Sequence, residues 1–224
     1  MAGKRKCPAS ETMDAALLER GRNLFAQDCN FIHGAMQFDQ LPAPVLPELA
    51  FAGRSNVGKS SLVNALTGQK TLARISNTPG RTQQINFFDL GQRLTLVDLP
   101  GYGYARASKK SIAEWTHLIH LYLKGRVNLR RICLLIDSRH GLKDNDRALM
   151  TELDHDAVVF QIVLTKSDKP KVVELEKTVA AITAELKKHP AAMPDVHVTS
   201  SFKKLGIEQL RADLVQLATN KPLR

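Results

Sequence analysis

The sequence predicts a three-layer α/β domain built on a mostly parallel sheet with one antiparallel edge strand. Three observations carry that expectation. Short apolar runs alternate with amphipathic stretches of helical length, as successive β-α-β crossovers require. Two strand-like runs, Ile85–Leu90 and Leu94–Asp98, are separated by Gly91-Gln92, which implies a hairpin and hence an antiparallel strand. A glycine-bearing segment, residues 53–60, follows a strand-like run and opens a helix-like one.

The elements follow in order. Residues 1–40 read as an extension, in which Ser10-Glu11-Thr12 opens a helix running through Leu17, Leu18, Leu24 and Phe25. Leu41-Pro-Ala-Pro-Val-Leu-Pro47 has three prolines without N–H donors, so it is neither helix nor central strand. It marks the start of a domain spanning 41–220, with 221–224 as a tail. Glu48–Ala52 is the first strand of that domain, and a helix starts near Gly58. The hairpin comes next, then a helix over Ser111–Lys124, a strand over Arg131–Asp137 and a helix over Asn145–Asp154. Ala157–Leu164, rich in Val and Ile, is a strand. Val172–Lys188 is helical, with Leu175, Val179, Ile182 and Leu186 at three- and four-residue spacing. Pro190 and Pro194 end it, Val196–Val198 is a last short strand, and Ile207–Leu217 a last helix.

Composition narrows the function classes. Of 224 residues, 43% are apolar and 24% charged, values of a globular chain rather than a disordered one. The longest apolar runs, such as Ile132–Ile136, are too short to cross a bilayer, so no transmembrane segment is expected. Lys4-Arg5-Lys6 is not followed by the apolar stretch of a secretory signal. Cys7, Cys29 and Cys133 are scattered without metal-ligand spacing, so the expectation is a reduced, cytoplasmic protein with Cys133 in the core. The net charge is +10. Residues 70–131 hold eleven basic side chains against three acidic ones, an excess of eight. Such concentration favours a polyanionic partner over an ordinary solvated surface.

Gly53, Arg54, Ser55, Asn56, Val57, Gly58, Lys59 and Ser60 fit G-x-x-x-x-G-K-[ST], in the strand-to-helix setting that gives the pattern meaning. The glycines let backbone N–H groups turn toward phosphate oxygens, and the helix N-terminus adds a favourable dipole. Lys59 then reaches the outer phosphates and the Ser60 hydroxyl ligates Mg²⁺. The alternative is a tight glycine turn without a ligand, which the strand-to-helix setting disfavours. Downstream, Asp98, Leu99, Pro100 and Gly101 close a strand. There Asp98 can hold Mg²⁺ through a water, and the Gly101 N–H can meet a terminal phosphate. Thr165, Lys166, Ser167 and Asp168 follow the strand ending at Leu164. A carboxylate at Asp168 can accept from the ring N–H and exocyclic amine of guanine, which adenine cannot offer. Lys166 can cover the base with its methylene stem, and Thr199, Ser200 and Ser201 can approach it from the other side.

Taken together, Phe51–Ser61, Pro79-Gly-Arg-Thr-Gln83, Asp98-Leu-Pro-Gly-Tyr-Gly-Tyr-Ala105, Thr165–Asp168, Trp115, Thr199–Ser201 and Gln40-Leu-Pro42 resemble a Ras-like P-loop GTPase of the TrmE–Era–EngA–YihA–septin class. The chain is similar, more narrowly, to the bacterial EngB/YihA ribosome-biogenesis GTPases, over roughly residues 25–217. The resemblance implies a P-loop NTPase fold (the Ras-like G domain), GTP and GDP as ligands, and Mg²⁺ held by Ser60, Thr82 and, through water, Asp98. It adds Ser61, Gly80, Arg81, Gln83 and Gln84 to the nucleotide-binding set, with Thr78 a rival for the role of Thr82. Thr165 stands where most GTPases have Asn. The change removes one side-chain contact to the base or its surroundings, so modest nucleotide affinity is expected. Ser200-Ser201 replaces the Ser-Ala of many relatives.

Ras-like proteins orient the attacking water with a Gln after D-x-x-G, but here Tyr102 occupies that position. The resemblance supplies Asn56 as a residue that helps hold K⁺ against the phosphates, its alternative being a residue that shapes the turn. Catalysis is thus expected from Lys59, Asn56, Thr82 and Gly101, slowly, and faster with K⁺ and a partner. The resemblance further implies a switch in large-subunit ribosome assembly with linked effects on division and septation. The charge excess points to precursor rRNA bound through basic residues of 70–131, and a monomer is expected. Arg81, Arg106, Lys109 and Lys110 are the favoured contacts. The rivals are a division-site or membrane-surface interaction protein and, more weakly, an ATP-dependent kinase. His117 and His120 lack carboxylate or Cys companions in sequence and read as solvated helix residues. Phe87-Phe88 reads as core.

Overall fold

The structure, a computed structural model, describes residues 14–69, 72, 84–102 and 109–219, with residues 109–116 described through their backbone alone. The described helices are α1 (Ala15–Phe25), α2 (Lys59–Thr67), α3 (Lys109–Gly125), α4 (Asp144–His155), α5 (Val172–Leu186) and α6 (Ile207–Leu214). The strands are β1 (Cys29–Ala35), β2 (Glu48–Gly53), β3 (Ile85–Leu90), β4 (Leu94–Asp98), β5 (Leu129–Asp137), β6 (Phe160–Thr165) and β7 (His197–Val198). They form one sheet in the order β1-β3-β4-β2-β5-β6-β7. Strands β4, β2, β5, β6 and β7 are mutually parallel, and β3 runs against them.

The expected α/β architecture holds, with one correction at the edge. Strand β3 is second from the edge, because β1 pairs antiparallel with its outer side, Phe31 opposite Phe88 and Ala35 opposite Ile85. Residues 15–35, set apart in sequence by the proline segment, thus supply a helix and the edge strand of the same fold. The strand carries little sequence signal: Asn30 to His33 are all exposed and a bulge interrupts the pairing. The hairpin itself is as expected. Gly91 (φ 57) and Gln92 (φ 54) are both left-handed and Arg93 N–H donates to Leu90 O at 3.1 Å, the twist-matched turn of a tight hairpin.

The sheet buries both faces by strict alternation. Leu49 and Phe51 face α1, α2 and α6, whereas Ala50 and Ala52 face α3, α4 and α5. Cys133 is fully buried as expected, and burial holds its thiol up at about 12. Phe87 and Phe88 are core residues on opposite faces. Strand β6 begins three residues later than the sequence pattern suggests. Ala157 takes a left-handed conformation (φ 52), and Val158 N–H donates to Leu153 O at 2.9 Å, closing α4 with a Schellman turn.

Two buried ion pairs revise the charge distribution. Arg126 lays its guanidinium on Glu48 (Nε to Oε1 2.9 Å), which also accepts from Tyr122 Oη at 2.8 Å, fastening the end of α3 under β2. Arg131 bridges Asp213 at 2.7 Å and Gln161 at 2.8 Å. Arg93 donates to Thr219 O at 3.0 Å. These three arginines serve the fold, so they leave the basic surface that the sequence count assigned them to. Among the described side chains of 70–131, Lys124 and Arg130 stay exposed. Lys70, Arg74, Arg81 and Arg106 lie outside the described residues, as do the side chains of Lys109 and Lys110.

Candidate nucleotide-binding site

The glycine-bearing loop leaves the centre of the sheet and winds directly into α2. A Cβ on Gly53 would lie 2.9 Å from Val57 Cγ1 and 3.0 Å from Leu135 O, so only glycine fits that start. Gly58 (φ 106) is the N-cap of α2 and offers no side chain to cap it. The first amides of the helix therefore open toward the loop, the arrangement that receives an anion. Asn56 is exposed and left-handed (φ 63), a conformation Asn tolerates, so its turn-shaping role is part of the geometry. Ser60 and Ser61 lie in the first turn of α2.

The D-x-x-G segment runs beside this loop. Leu99 N–H donates to Phe51 O at 3.1 Å, Ser55 N–H to Tyr102 O at 3.0 Å, and Tyr102 N–H to Gly53 O at 3.3 Å. A Cβ on Gly101 would sit 3.2 Å from the Ser55 backbone, so the glycine allows the close approach. The Lys59 ammonium pairs with the Asp98 carboxylate, which is only 3% exposed. Pro100 lies between Asp98 and Gly101 in the segment. The Tyr102 hydroxyl donates to Asp146 Oδ1 at 2.6 Å. Burial, then the Asp146 carboxylate, hold that phenol far above its ordinary value, so it stays protonated. Its ring is tethered to α4. A cavity of about 210 Å³ flanks the loop on that side, lined in part by Arg54, Val57, Asp137, Arg139 and Asp146.

The third group of residues grips the same loop. Thr165 Oγ1 donates to Val57 O at 2.7 Å, and Lys166 Nζ donates to Asn56 O at 2.7 Å and to Asp137 Oδ2 at 2.9 Å. The short Thr165 hydroxyl thus reaches the loop backbone directly. Sequence reasoning missed Asp137, whose signal is an acidic residue ending an apolar strand. Burial would raise its carboxyl, but hydrogen bonds from Arg139 and Lys166 outweigh burial and hold it well below the usual range.

Asp168 lies beyond this grip, facing the loop after β7. Ser200 Oγ donates to Asp168 Oδ1 at 2.5 Å while accepting from Lys203 N–H at 3.1 Å, and Lys169 Nζ stands 3.4 Å from Oδ2. The Ser200 bond in particular keeps the carboxyl ionised, below its ordinary value. Ser167 N–H donates to Thr199 O at 3.1 Å, and Thr199 N–H to Leu164 O at 2.7 Å. Gly206 (φ 68) closes the loop where a Cβ would fall 2.1 Å from Val198 O. Ser201 follows in the same turn. Gln84 sits at the entry to β3, its amide donating to Asn86 Oδ1 at 2.9 Å. Gly80, Arg81, Thr82 and Gln83, with Thr78, lie outside the described residues.

Known proteins match this arrangement. Residues 48–166 fit the model of a family described as 50S ribosome-binding GTPase. The chain is 58% identical over 216 residues to a probable GTP-binding protein EngB of Rhodospirillum rubrum, covering 94% of each chain. It is 55% identical over 210 residues to the protein of the same description from Granulibacter bethesdensis, again covering 94% of both. Among solved structures, a probable GTP-binding protein engB superposes with a TM-score of 0.61 at 22% identity, over 76% of this chain and 97% of that one, a likeness of fold.

Proposed function

This chain belongs to the EngB family of GTP-binding proteins, and from that premise we propose that it is a slow GTPase switch whose GTP form engages the assembling large ribosomal subunit. The observation that carries the guanine-nucleotide reading is the joining of the base motif to the phosphate loop. Thr165 and Lys166 hold the carbonyls of Val57 and Asn56, so a base at Asp168 and phosphates at the loop are registered by one framework. Asp168, ionised and oriented by Ser200, accepts the two guanine N–H donors. Adenine presents an acceptor and no donor at those places and is rejected.

Lys59 leaves Asp98 for the outer phosphates when nucleotide binds. The hard oxygen donors Ser60 and Asp98, the latter buried beside the loop, suit Mg²⁺, with Thr82 as the further ligand. The ion would neutralise charge between the outer phosphates. Gly101 donates its N–H to the terminal phosphate and so couples its loss to the segment 98–102. Tyr102 has no amide to orient water, and its hydroxyl is engaged with Asp146. The intrinsic rate is accordingly slow, with Asn56 helping to seat K⁺ where transition-state charge develops.

The ribosomal partner is supported by the family description and by the basic excess of 70–131, to which Lys70, Arg74, Arg81, Arg106, Lys109, Lys110, Lys124 and Arg130 contribute once Arg93, Arg126 and Arg131 are set aside. Loss of the protein is expected to stall subunit assembly and to disturb division and septation secondarily. Co-sedimentation with large-subunit precursors tests this. Binding in a non-hydrolysable GTP analogue, weakened in GDP and by neutralising Arg106, Lys109 and Lys110 at unchanged GTP affinity, is the expected result. Binding indifferent to nucleotide, or none, would move the protein to the division-site reading.

A further inference from the structure

Helices α3 and α4 meet at a polar cluster remote from the loop that holds the phosphates. Glu152 and Asp156, four residues apart, project from one side of the end of α4. His120, in the second half of α3, faces them, and its Nδ1 already contacts Glu152 Oε1. The carboxylate companions that His120 lacks in sequence are thus supplied by another helix. One donor atom from each of the three residues lies within 4.8 Å of the other two.

Asp156 is the unusual member. Its side chain is 4% exposed. Oδ1 accepts from His155 Nδ1 at 3.0 Å and has Lys124 Nζ at 3.9 Å, whereas Oδ2 is buried with no hydrogen-bond partner among the described residues. A buried carboxylate oxygen without a partner is rare in a folded protein and calls for a cation or donor. Against two carboxylates the cluster has, among the described residues, one permanent cation, Lys124, itself half exposed.

We propose that His120, Glu152 and Asp156 form a binding site for a divalent transition metal of the Zn²⁺ class, which pins α3 to α4. One imidazole nitrogen with two carboxylate oxygens is a donor set for a borderline ion, with water completing a tetrahedron. Ligands around such an ion stand about 3.4 Å apart given bonds of roughly 2.1 Å. His120 and Glu152 are each 37% exposed, so both can turn to close the remaining gap. The ion would join the helix that follows the D-x-x-G segment to the helix whose Asp146 tethers Tyr102. Binding at this cluster does not depend on the guanine-nucleotide reading.

The test uses the full chain, stripped with chelator and saturated with Mg²⁺ to fill hard-oxygen sites, then titrated with Zn²⁺ by calorimetry. One ion per chain in the micromolar range is expected, weakened by at least about tenfold in His120→Ala and in Glu152→Gln. His117→Ala, an exposed residue one turn away, should bind as the wild type does. Trp115, the single tryptophan, lies five residues before His120, about 7.5 Å along the axis. Co²⁺ should therefore quench its emission in the wild type and not in His120→Ala. Thermal unfolding without metal confirms that both variants fold. Absence of stoichiometric binding, or affinity within about twofold of wild type in either variant, overturns the assignment.

Discussion

The contact between Thr165 and the phosphate loop can be removed without changing shape. Thr165→Val keeps the β-branch and the volume but deletes the hydroxyl. Thr165 is 3% exposed, and its Oγ1 lies 2.7 Å from Val57 O and 3.3 Å from Ile136 O. One hydroxyl proton serves the nearer carbonyl, so the substitution leaves the Val57 acceptor without this partner in a buried place. Such a loss costs about 1–3 kcal/mol. Because Val57 belongs to the loop that cradles phosphate, that energy holds the loop in its binding shape. It appears as a loss of nucleotide affinity of about 5- to 150-fold to the extent that the loop relaxes before the fold does. Titration with a fluorescent GDP analogue measures the affinity, and urea unfolding in parallel measures the fold. Thr165→Asn, which restores an amide donor, should bind more tightly than Thr165→Val. If Thr165→Val binds GDP as the wild type does, with an unchanged urea midpoint, the Thr165 hydroxyl does not hold the loop.

Other consequences follow from the same geometry. Tyr102→Phe should lower stability by about 1–3 kcal/mol in urea unfolding, because buried Asp146 loses a 2.6 Å donor, while the GTPase rate changes less than about twofold; a tenfold fall in rate would place Tyr102 in the catalytic machinery. Asn56→Ala should abolish a K⁺-over-Na⁺ rate advantage measured by phosphate release, and equal wild-type rates in the two salts would remove the cation from the account. Asp213 sits in a buried setting that alone would raise its carboxyl, but His197 and then Arg131 hold it below its ordinary value. Its stabilisation is therefore fully present above the unfolded value near 3.9 and is lost as pH falls through the lower folded value. Asp213→Asn should flatten the acid limb of a stability–pH curve, and an unchanged limb would assign acid sensitivity elsewhere.

Local signals made most of the fold legible. Alternating apolar runs located β3 and β4 to the residue, and the Gly91-Gln92 turn has the left-handed pair that its residues allow. Strand β1 escaped because its side chains are mostly exposed and its partner is more than fifty residues away, so neither periodicity nor a turn marks it. The start of β6 was obscured by Val158 and Val159, whose β-propensity is overridden by the helix cap at Ala157. At the site, motifs with fixed spacing named the loop, the D-x-x-G segment and the base motif. What the sequence could not carry were side-chain bonds between distant segments: Thr165 to Val57, Tyr102 to Asp146, and Arg126 to Glu48. The last of these also shows why a charge count overstates a surface, since a buried arginine looks the same as an exposed one in sequence.

The proposed role of Asp168, selecting guanine in register with the phosphate loop, is open to test by exchanging one acceptor for a donor. Asp168→Asn replaces a carboxylate that accepts twice by an amide that accepts once and donates once. Guanine then meets a repelling donor, whereas xanthine, with a carbonyl in place of the exocyclic amine, fits. Loss of one charge-assisted bond, about 1.5–3 kcal/mol, predicts that GTP binds at least about tenfold more weakly while XTP binding rises. Wild-type protein should bind GTP and exclude ATP and XTP in the same titration. An Asp168→Asn protein that keeps wild-type GTP affinity and gains none for XTP would contradict the account.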